Sequence, residues 1–256
     1  MKRSRPQINL GVDYGFIDSS FARKCTRGIE RRVFMAGVPL NEQKKPELRM
    51  SEHIMQTIAP NILYFGTPVA LISSLNEDDS TNVAPISSFW ALGWTMKLGL
   101  LDETKTADNL ARHSECVVNL PSPDMWQQVE KLAPLTGKFP VPEIKAKQFR
   151  FEKDKFGAAG LTPRPSEVVR PARVAECPVQ MEARVRRLHA MSGERLESLG
   201  GGIGSEIEIL RVHVDSSFVH EDAYIDPKKW SPLIYNFRHY FRLADTELGK
   251  TFRAQH

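Results

Sequence analysis

The sequence has few cysteines and lacks long apolar runs. Cys25, Cys116 and Cys177 are far apart and form no CxxC pair, so neither a disulfide framework nor structural zinc is expected, and the expected location is a reducing cytoplasm. No apolar run approaches the roughly 18 to 20 residues needed to cross a bilayer, so no membrane partner is expected. The basic N-terminus has no apolar segment typical of a secretory signal, and Asp13 and Asp18 argue against a transit peptide.

Motifs that would assign a catalytic or metal site directly are also missing. The seven histidines have no metal-ligand spacing, GxSxG is absent, and no Ser–His–Asp arrangement can be recognised. The glycine cluster at 200–204 fits GxGxxG in no register, and a strand pattern follows it instead of a helix. A flexible hairpin loop is therefore favoured over a nucleotide-binding loop. We expect no metal site.

The positive charge is concentrated at the N-terminus. The net charge is +4, yet residues 1–50 alone carry eleven Lys or Arg against five Asp or Glu. This segment shows no sustained helical or strand period. A solvated or subunit-wrapping arm is favoured over a nucleic-acid site, and no nucleic-acid partner is expected. The sequence thus predicts a basic N-terminal extension over 1–50 and a single domain over 51–256.

Short segments rich in β-branched and aromatic residues dominate the domain, and polar turns separate them. Their composition and length predict strands, at 62–66, 68–75, 82–90, 95–101 and 115–121. Pro85 makes its strand an edge or bulged strand, because proline cannot donate to a central ladder. Helices are few and short. The pattern predicts a mainly β fold, an antiparallel β-barrel with peripheral helices.

Two later segments predict a paired strand and a bulge. From Val179 onward, apolar residues alternate with polar ones such as Gln180 and Glu182, which predicts a half-buried antiparallel strand with the polar side chains on the outer face. Residues 206–214 begin on one phase and shift by one residue at Leu210, which predicts a β-bulge.

Hydroxyls and a lysine gather where strands end and a helix begins. Ser87 and Ser88 precede the strand 95–101, and Thr104, Lys105 and Thr106 follow it. We expect Thr106 to cap the helix and the two groups to converge. The amides of a helix N-terminus, a lysine and hydroxyls are together the donors that a phosphate needs.

These segments carry a family resemblance. The string NVAPISS at 82–88, followed by an aromatic run, then KTADNL at 105–110 and ECVVNL at 115–120, resembles the flavin reductase-like family with the FMN-binding split barrel. The likeness continues through AGLTPRPSE, AECPVQMEA and YIDPKKWSPLIYNFRHYF, over roughly residues 54–243. Order and spacing across almost 200 residues make it specific, and the N-terminal extension lies outside it.

The resemblance implies a split β-barrel, antiparallel and Greek-key-like, with FMN in a cleft of a homodimer. Four residues would contact the ring or the ribityl chain: Asn82, Ala84, Ser87 and Ser88. Four others would hold the phosphate end: Thr104, Lys105, Thr106 and Asn109. No catalytic side chain is implied, because the flavin carries the electrons.

The implied function is an NAD(P)H-dependent flavin reductase that passes hydride from NADH or NADPH to flavin N5. The alternative is a non-catalytic FMN-binding or electron-carrier protein of the same fold. A flavin-dependent monooxygenase is a candidate partner.

Overall fold

The computed structural model describes residues 55–221 and 224–251. Strands predominate: β1 (Phe65–Pro68), β2 (Ala70–Leu75), β3 (Thr81–Ile86), β4 (Phe89–Leu92), β5 (Thr95–Leu101), β6 (Glu115–Leu120), β7 (Leu135–Thr136), β8 (Arg150–Phe151), β9 (Pro163–Arg164), β10 (Arg173–Val174), β11 (Val179–Met191), β12 (Gly202–Val214), β13 (Val219–His220), β14 (Tyr224–Ile225), β15 (Ile234–Asn236) and β16 (His239–Phe241). The predicted extension over 1–50 lies outside the described residues and stays a prediction.

The helices are short and lie between strands: α1 (Lys105–Arg112), α2 (Trp126–Leu132), α3 (Lys155–Ala159) and α4 (Glu194–Glu197), with three-residue 3-10 turns at Pro123–Met125, Glu143–Lys145 and Ser216–Phe218. None of the helices in the described ranges is long and apolar enough to span a membrane.

Seven strands form one antiparallel sheet in the order β3-β2-β6-β11-β12-β5-β4. Its two edge strands, β3 and β4, are joined by only Ser87 and Ser88. Three chain steps from Ile86 to Phe89 span at most about 11 Å, whereas the edges of a flat seven-stranded sheet would lie about 29 Å apart. The sheet must therefore curl into a barrel. Within the described residues no ladder joins β3 to β4, so the seam is open.

This architecture confirms the predicted mainly β, antiparallel split barrel. β3 is an edge strand, as Pro85 predicts. The bounds of β5 coincide with the predicted strand 95–101. The chain returns from β5 through α1 to place β6 beside β2 rather than beside β5, which gives the predicted Greek-key-like connection.

β2 divides the hydrophobic core into two clusters. All six of its residues are buried, because both faces of the strand are covered. Ala70 and Ile72 pack in one cluster with side chains from α1, β5 and β12. Leu71 packs in the other with side chains from α2 and α3. The alternation of side chains along a strand explains why an unbroken apolar run serves both clusters.

The bulge predicted in residues 206–214 is confirmed. β11 and β12 pair Glu182 with Arg211 and then Ala183 with Ile209, so Leu210 is the extra residue. One face of β11, however, was predicted wrongly. Gln180 and Glu182 are 5% and 0% exposed, although polar residues of an alternating strand were expected to face outward.

The segment around β9 and β10 covers that face and satisfies its polar groups. The Glu182 carboxylate accepts hydrogen bonds from the amides of residues 167–169 and lies 2.7 Å from His213 Nε2. Burial raises the pKa of Glu182, but these hydrogen bonds outweigh it and hold the pKa below its ordinary value. Gln180 donates to the carbonyls of Val174 and Cys177.

Candidate functional site

The N-terminus of α1 presents free backbone donors beside β3. Thr104 caps the helix in an extended conformation, and its Oγ1 accepts from Ala107 N at 3.1 Å and donates to Leu101 O at 2.8 Å. The prediction that Thr106 is the cap was wrong. Lys105 and Thr106 instead form the first turn, and their amides have no acceptor among the hydrogen bonds of the described residues. These two N–H groups are available to an anion.

A buried polar cluster joins this helix to β2 and β3. Asn109 donates to Ser74 Oγ at 3.1 Å and to Asn76 Oδ1 at 3.0 Å. Asn82 makes longer contacts, 3.4 Å to Thr106 Oγ1 and 3.5 Å to Ser74 Oγ. Two predicted site residues, Asn82 of β3 and Asn109 of α1, thus meet around Ser74, and Thr106 of α1 contacts Asn82. Asn109 Oδ1 is buried and makes no hydrogen bond within the described part of the chain.

Lys105 borders this cluster. Its ammonium pairs with Glu77 at 2.6 Å, and the side chains are 14% and 63% exposed. This hydrogen bond is the main reason why the pKa of Glu77 is lowered. Gly137 packs against the same place: a Cβ built on it would lie 2.8 Å from Asn82 Oδ1 and 3.0 Å from Lys105 Cγ. Any larger residue at 137 would displace one of these side chains.

The predicted residues of β3 and the link after it are placed differently. Ala84 is half-buried and pairs with Ile72 across the ladder. Ser88 Oγ donates to Gly99 O at 2.6 Å, and Gly99 N donates to Ser88 O at 2.7 Å, so this hydroxyl holds the link against β5. Ser87 makes no side-chain hydrogen bond to any described residue. No hydrogen bond in the described ranges joins either serine to the start of α1.

Lysines from the Pro-rich region 134–176 complete the surroundings, and the sequence did not predict them. Lys138 Nζ lies 3.3 Å from Glu103 and 3.2 Å from Asp108, at the start of α1. Lys155 is 2% exposed and donates to Val83 O at 3.0 Å. Burial, together with Lys145, lowers its pKa to about 8.

Ser74 was missed as well, although a polar pair within the apolar run of β2 is a recognisable signal. Isolated lysines in an aperiodic loop give no such signal. Among the described residues, no group of three or more His, Cys, Asp or Glu side chains could hold a metal ion.

An antiparallel barrel with an open seam and a helix N-terminus prepared for an anion defines a class of cofactor-binding β proteins. Comparison with known proteins identifies the family. The family described as flavin reductase like domain matches residues 62–244, and the chain belongs to that family. Flavin-related oxidoreductase function follows from this membership, and the recognition of the family from its motifs is confirmed.

Individual relatives agree with this assignment. An uncharacterized protein of Bacillus subtilis (strain 168), YdfE, is 45% identical over 77% of this chain and 93% of its own. Flavoredoxin of Desulfovibrio vulgaris (Miyazaki F) has a TM-score of 0.62 and 21% identity, over 78% of this chain and 99% of its own. Nitrilotriacetate monooxygenase component B from Bacillus cereus has a TM-score of 0.59 and 20% identity, also over 78% and 99%. Both solved structures share the fold.

Proposed function

We propose that the protein binds FMN in the seam beside β3 and reduces it with NADH or NADPH. The observation that carries the proposal is the start of α1. Two free amides, the Lys105 ammonium and the Thr106 hydroxyl lie together there, next to the buried side chain of Asn82. These groups suit a phosphate, because N–H donors and a full positive charge both stabilise an anion.

The eight predicted residues take distinct roles in this proposal. Lys105 and Thr106 would contact the phosphate through backbone and side chain. The Thr104 hydroxyl accepts the capping hydrogen bond, and the Asn109 amide donates to Ser74 and Asn76. Both residues would therefore stabilise the fold around the site rather than contact the phosphate. Ser87, with its hydroxyl unengaged, would face the ribityl chain.

Residues Asn82 to Ser88 would border the ring mainly through their backbone. β3 is an edge strand, so the backbone groups on its outer side have no partner strand and can hydrogen-bond to a ligand. Ala84 leaves room for a flat ring to approach. Ser88 would keep the link rigid through Gly99. Bound FMN supplies the hydride-accepting chemistry, and the chain binds it, orients it and excludes water.

Anaerobic titration tests the reductase proposal. The purified protein is loaded with FMN and mixed with NADH or NADPH, and the flavin absorbance band is followed. Bleaching with either donor is expected. If neither donor bleaches a flavin that dithionite does reduce, the reductase proposal fails. The alternative, an electron carrier, then becomes the better assignment, and the likeness to flavoredoxin favours it as the second candidate.

A flavin-dependent monooxygenase is the proposed partner, because a structural neighbour is named as component B of a nitrilotriacetate monooxygenase. Reduced FMN released to solution would serve that partner, whereas a permanently bound flavin would not. Equilibrium dialysis of the oxidised and reduced holoprotein distinguishes the two. Weaker retention of reduced FMN is expected if the flavin is delivered to a partner.

We further propose a homodimer in the cytoplasm. Three large apolar side chains on β4 and the turn after it are exposed: Trp90 (58%), Leu92 (75%) and Trp94 (62%). An exposed apolar edge strand requires a cover to avoid aggregation, and a second copy of the chain would provide one. Analytical ultracentrifugation should give twice the chain mass. The free, buried Cys116 and Cys177 suit a reducing compartment.

A further inference from the structure

Lys145 is a buried lysine whose charge has no partner. It ends the 3-10 turn Glu143–Lys145 and is only 8% exposed. Its ammonium makes no hydrogen bond or ion pair with the described residues. The only specific contact is with the ring of Phe149, whose centroid is 5.4 Å from Nζ. A buried ammonium with only an aromatic neighbour is unfavourable unless an anion joins it.

The turn that carries Lys145 lies beside Glu103, two residues before α1: Glu103 and Ile144 line one cleft, and both approach Gly200. Burial and Lys138 lower the pKa of Lys145, while Glu103 and Asp108 act in the opposite direction. Lys138 lies at Glu103, just before α1, and at Asp108, on the first turn of α1. The charge of Lys145 also lowers the pKa of Lys155, which donates to Val83 O in β3. The charges that act on Lys145 thus lie at the start of α1, and its own charge acts on Lys155 beside β3.

Three carboxylates near the start of α1 are already engaged by other lysines. Glu77 pairs with Lys105, and Glu103 and Asp108 pair with Lys138. Lys155 has a carbonyl acceptor. Lys145 is therefore the lysine of this cluster whose ammonium has no acceptor among the described residues.

The turn that carries Lys145 has an outer side and an inner side. Its neighbours Ile144 and Lys147 line an outer cleft of about 780 Å³, together with Glu103 and Gly200. Lys145 does not line this cleft. Because Lys145 is buried, it lies on the opposite, inner side of the turn.

We propose that Lys145 binds the phosphate of the flavin, and that it makes the site selective for phosphorylated flavin over riboflavin. The inference rests on the proposed function, since it assigns a further ligand to the same site. The phosphate would accept hydrogen bonds from the free amides of α1 on one side and from the Lys145 ammonium of the loop on the other. This loop comes from a part of the chain that the family motifs do not include.

The test compares two variants of the full chain, Lys145→Met and Lys147→Met. Lys147 is exposed and two residues away, so its substitution is the matched control. Dissociation constants for FMN and for riboflavin are measured by quenching of flavin fluorescence, and the apoprotein's melting temperature is measured for each. A charged hydrogen bond to phosphate corresponds to roughly a 10- to 100-fold change in affinity.

We expect Lys145→Met to weaken FMN binding at least tenfold and to leave riboflavin binding within twofold. Lys147→Met should change neither. The apoprotein of Lys145→Met should melt at the same or a higher temperature, because an unpartnered buried charge has been removed. An unchanged ratio of FMN to riboflavin affinity would overturn the inference alone. A strongly destabilised or unfolded Lys145→Met would also overturn it, because the lysine would then be structural. A wild-type protein that binds neither flavin would overturn the proposed function together with it.

Discussion

Lys155 should make the stability of this protein depend on pH in the alkaline range. Its pKa is about 8 in the folded chain against an ordinary value of 10.5. Folding therefore disfavours the charged form, and the unfolded chain binds more protons between these values. Stability is reduced below pH 8 and recovers as pH rises toward 10.5. Each pKa unit corresponds to about 1.4 kcal/mol, so between pH 7 and pH 10 the recovery is about 2 to 3 kcal/mol.

Substitution by methionine isolates this contribution. Lys155→Met removes the charge but leaves Val83 O without its donor, which costs about 1 to 3 kcal/mol. The net effect at pH 7 is therefore small. The difference in unfolding free energy between wild type and variant should shift by about 2 to 3 kcal/mol in favour of the wild type at pH 10.

Guanidinium unfolding at both pH values gives these free energies. Lys153→Met is the control, because Lys153 is exposed, pairs with Asp78 at 2.6 Å and has a raised pKa. Its contribution should not change between pH 7 and pH 10. If the wild type and Lys155→Met differ by the same amount at both pH values, Lys155 is not a buried charge in solution.

Three further substitutions test other contacts of the site and its support. Thr104→Ala should lower the unfolding free energy by about 1 kcal/mol through loss of the helix cap, and Thr104→Ser should restore most of it. Lys105→Ala should weaken FMN binding by about 1.5 to 3 kcal/mol, and unchanged affinity would place the phosphate elsewhere. Glu182→Gln should lower the melting temperature at pH 7 and reduce the loss of stability in acid. A carboxylate whose pKa is depressed in the folded chain stabilises it above the unfolded pKa, and this stabilisation is lost as pH falls. Equal acid sensitivity of wild type and variant would contradict this.

The fold was largely predictable because its signals are local. The bounds of β5 follow from one apolar run, and the phase shift at Leu210 marks the bulge before any partner strand is known. The choice of helix cap was harder, since Thr104 and Thr106 have the same capping chemistry. Geometry selects Thr104, whose hydroxyl also reaches Leu101 O at the end of β5.

The burial of several polar side chains could not be predicted from the sequence, because it depends on contacts with distant segments. Gln180 and Glu182 resemble solvent-facing residues of an alternating strand, and only the cover over that face makes them buried. Lys145 and Lys155 lie in an aperiodic region, where charge normally indicates a solvated loop. Their burial results from how this region folds over β3, and no pattern within it encodes that contact.

The candidate site contains two kinds of polar group: those hydrogen-bonded within the fold, and those without a partner among the described residues. The hydroxyls of Thr104 and Ser88 and the amide of Asn109 are engaged in the fold itself. The amides at the start of α1 and the ammonium of Lys145 have no partner among the described residues. Removing an engaged group should therefore appear first as lost stability, with flavin affinity changed only through the shape of the site. Removing an unengaged group should appear as lost affinity in a protein that remains equally stable. A binding site formed in advance by the fold favours this separation. Lys105 is the exception, because its ammonium pairs with the exposed Glu77 carboxylate and still has a further N–H donor for a phosphate.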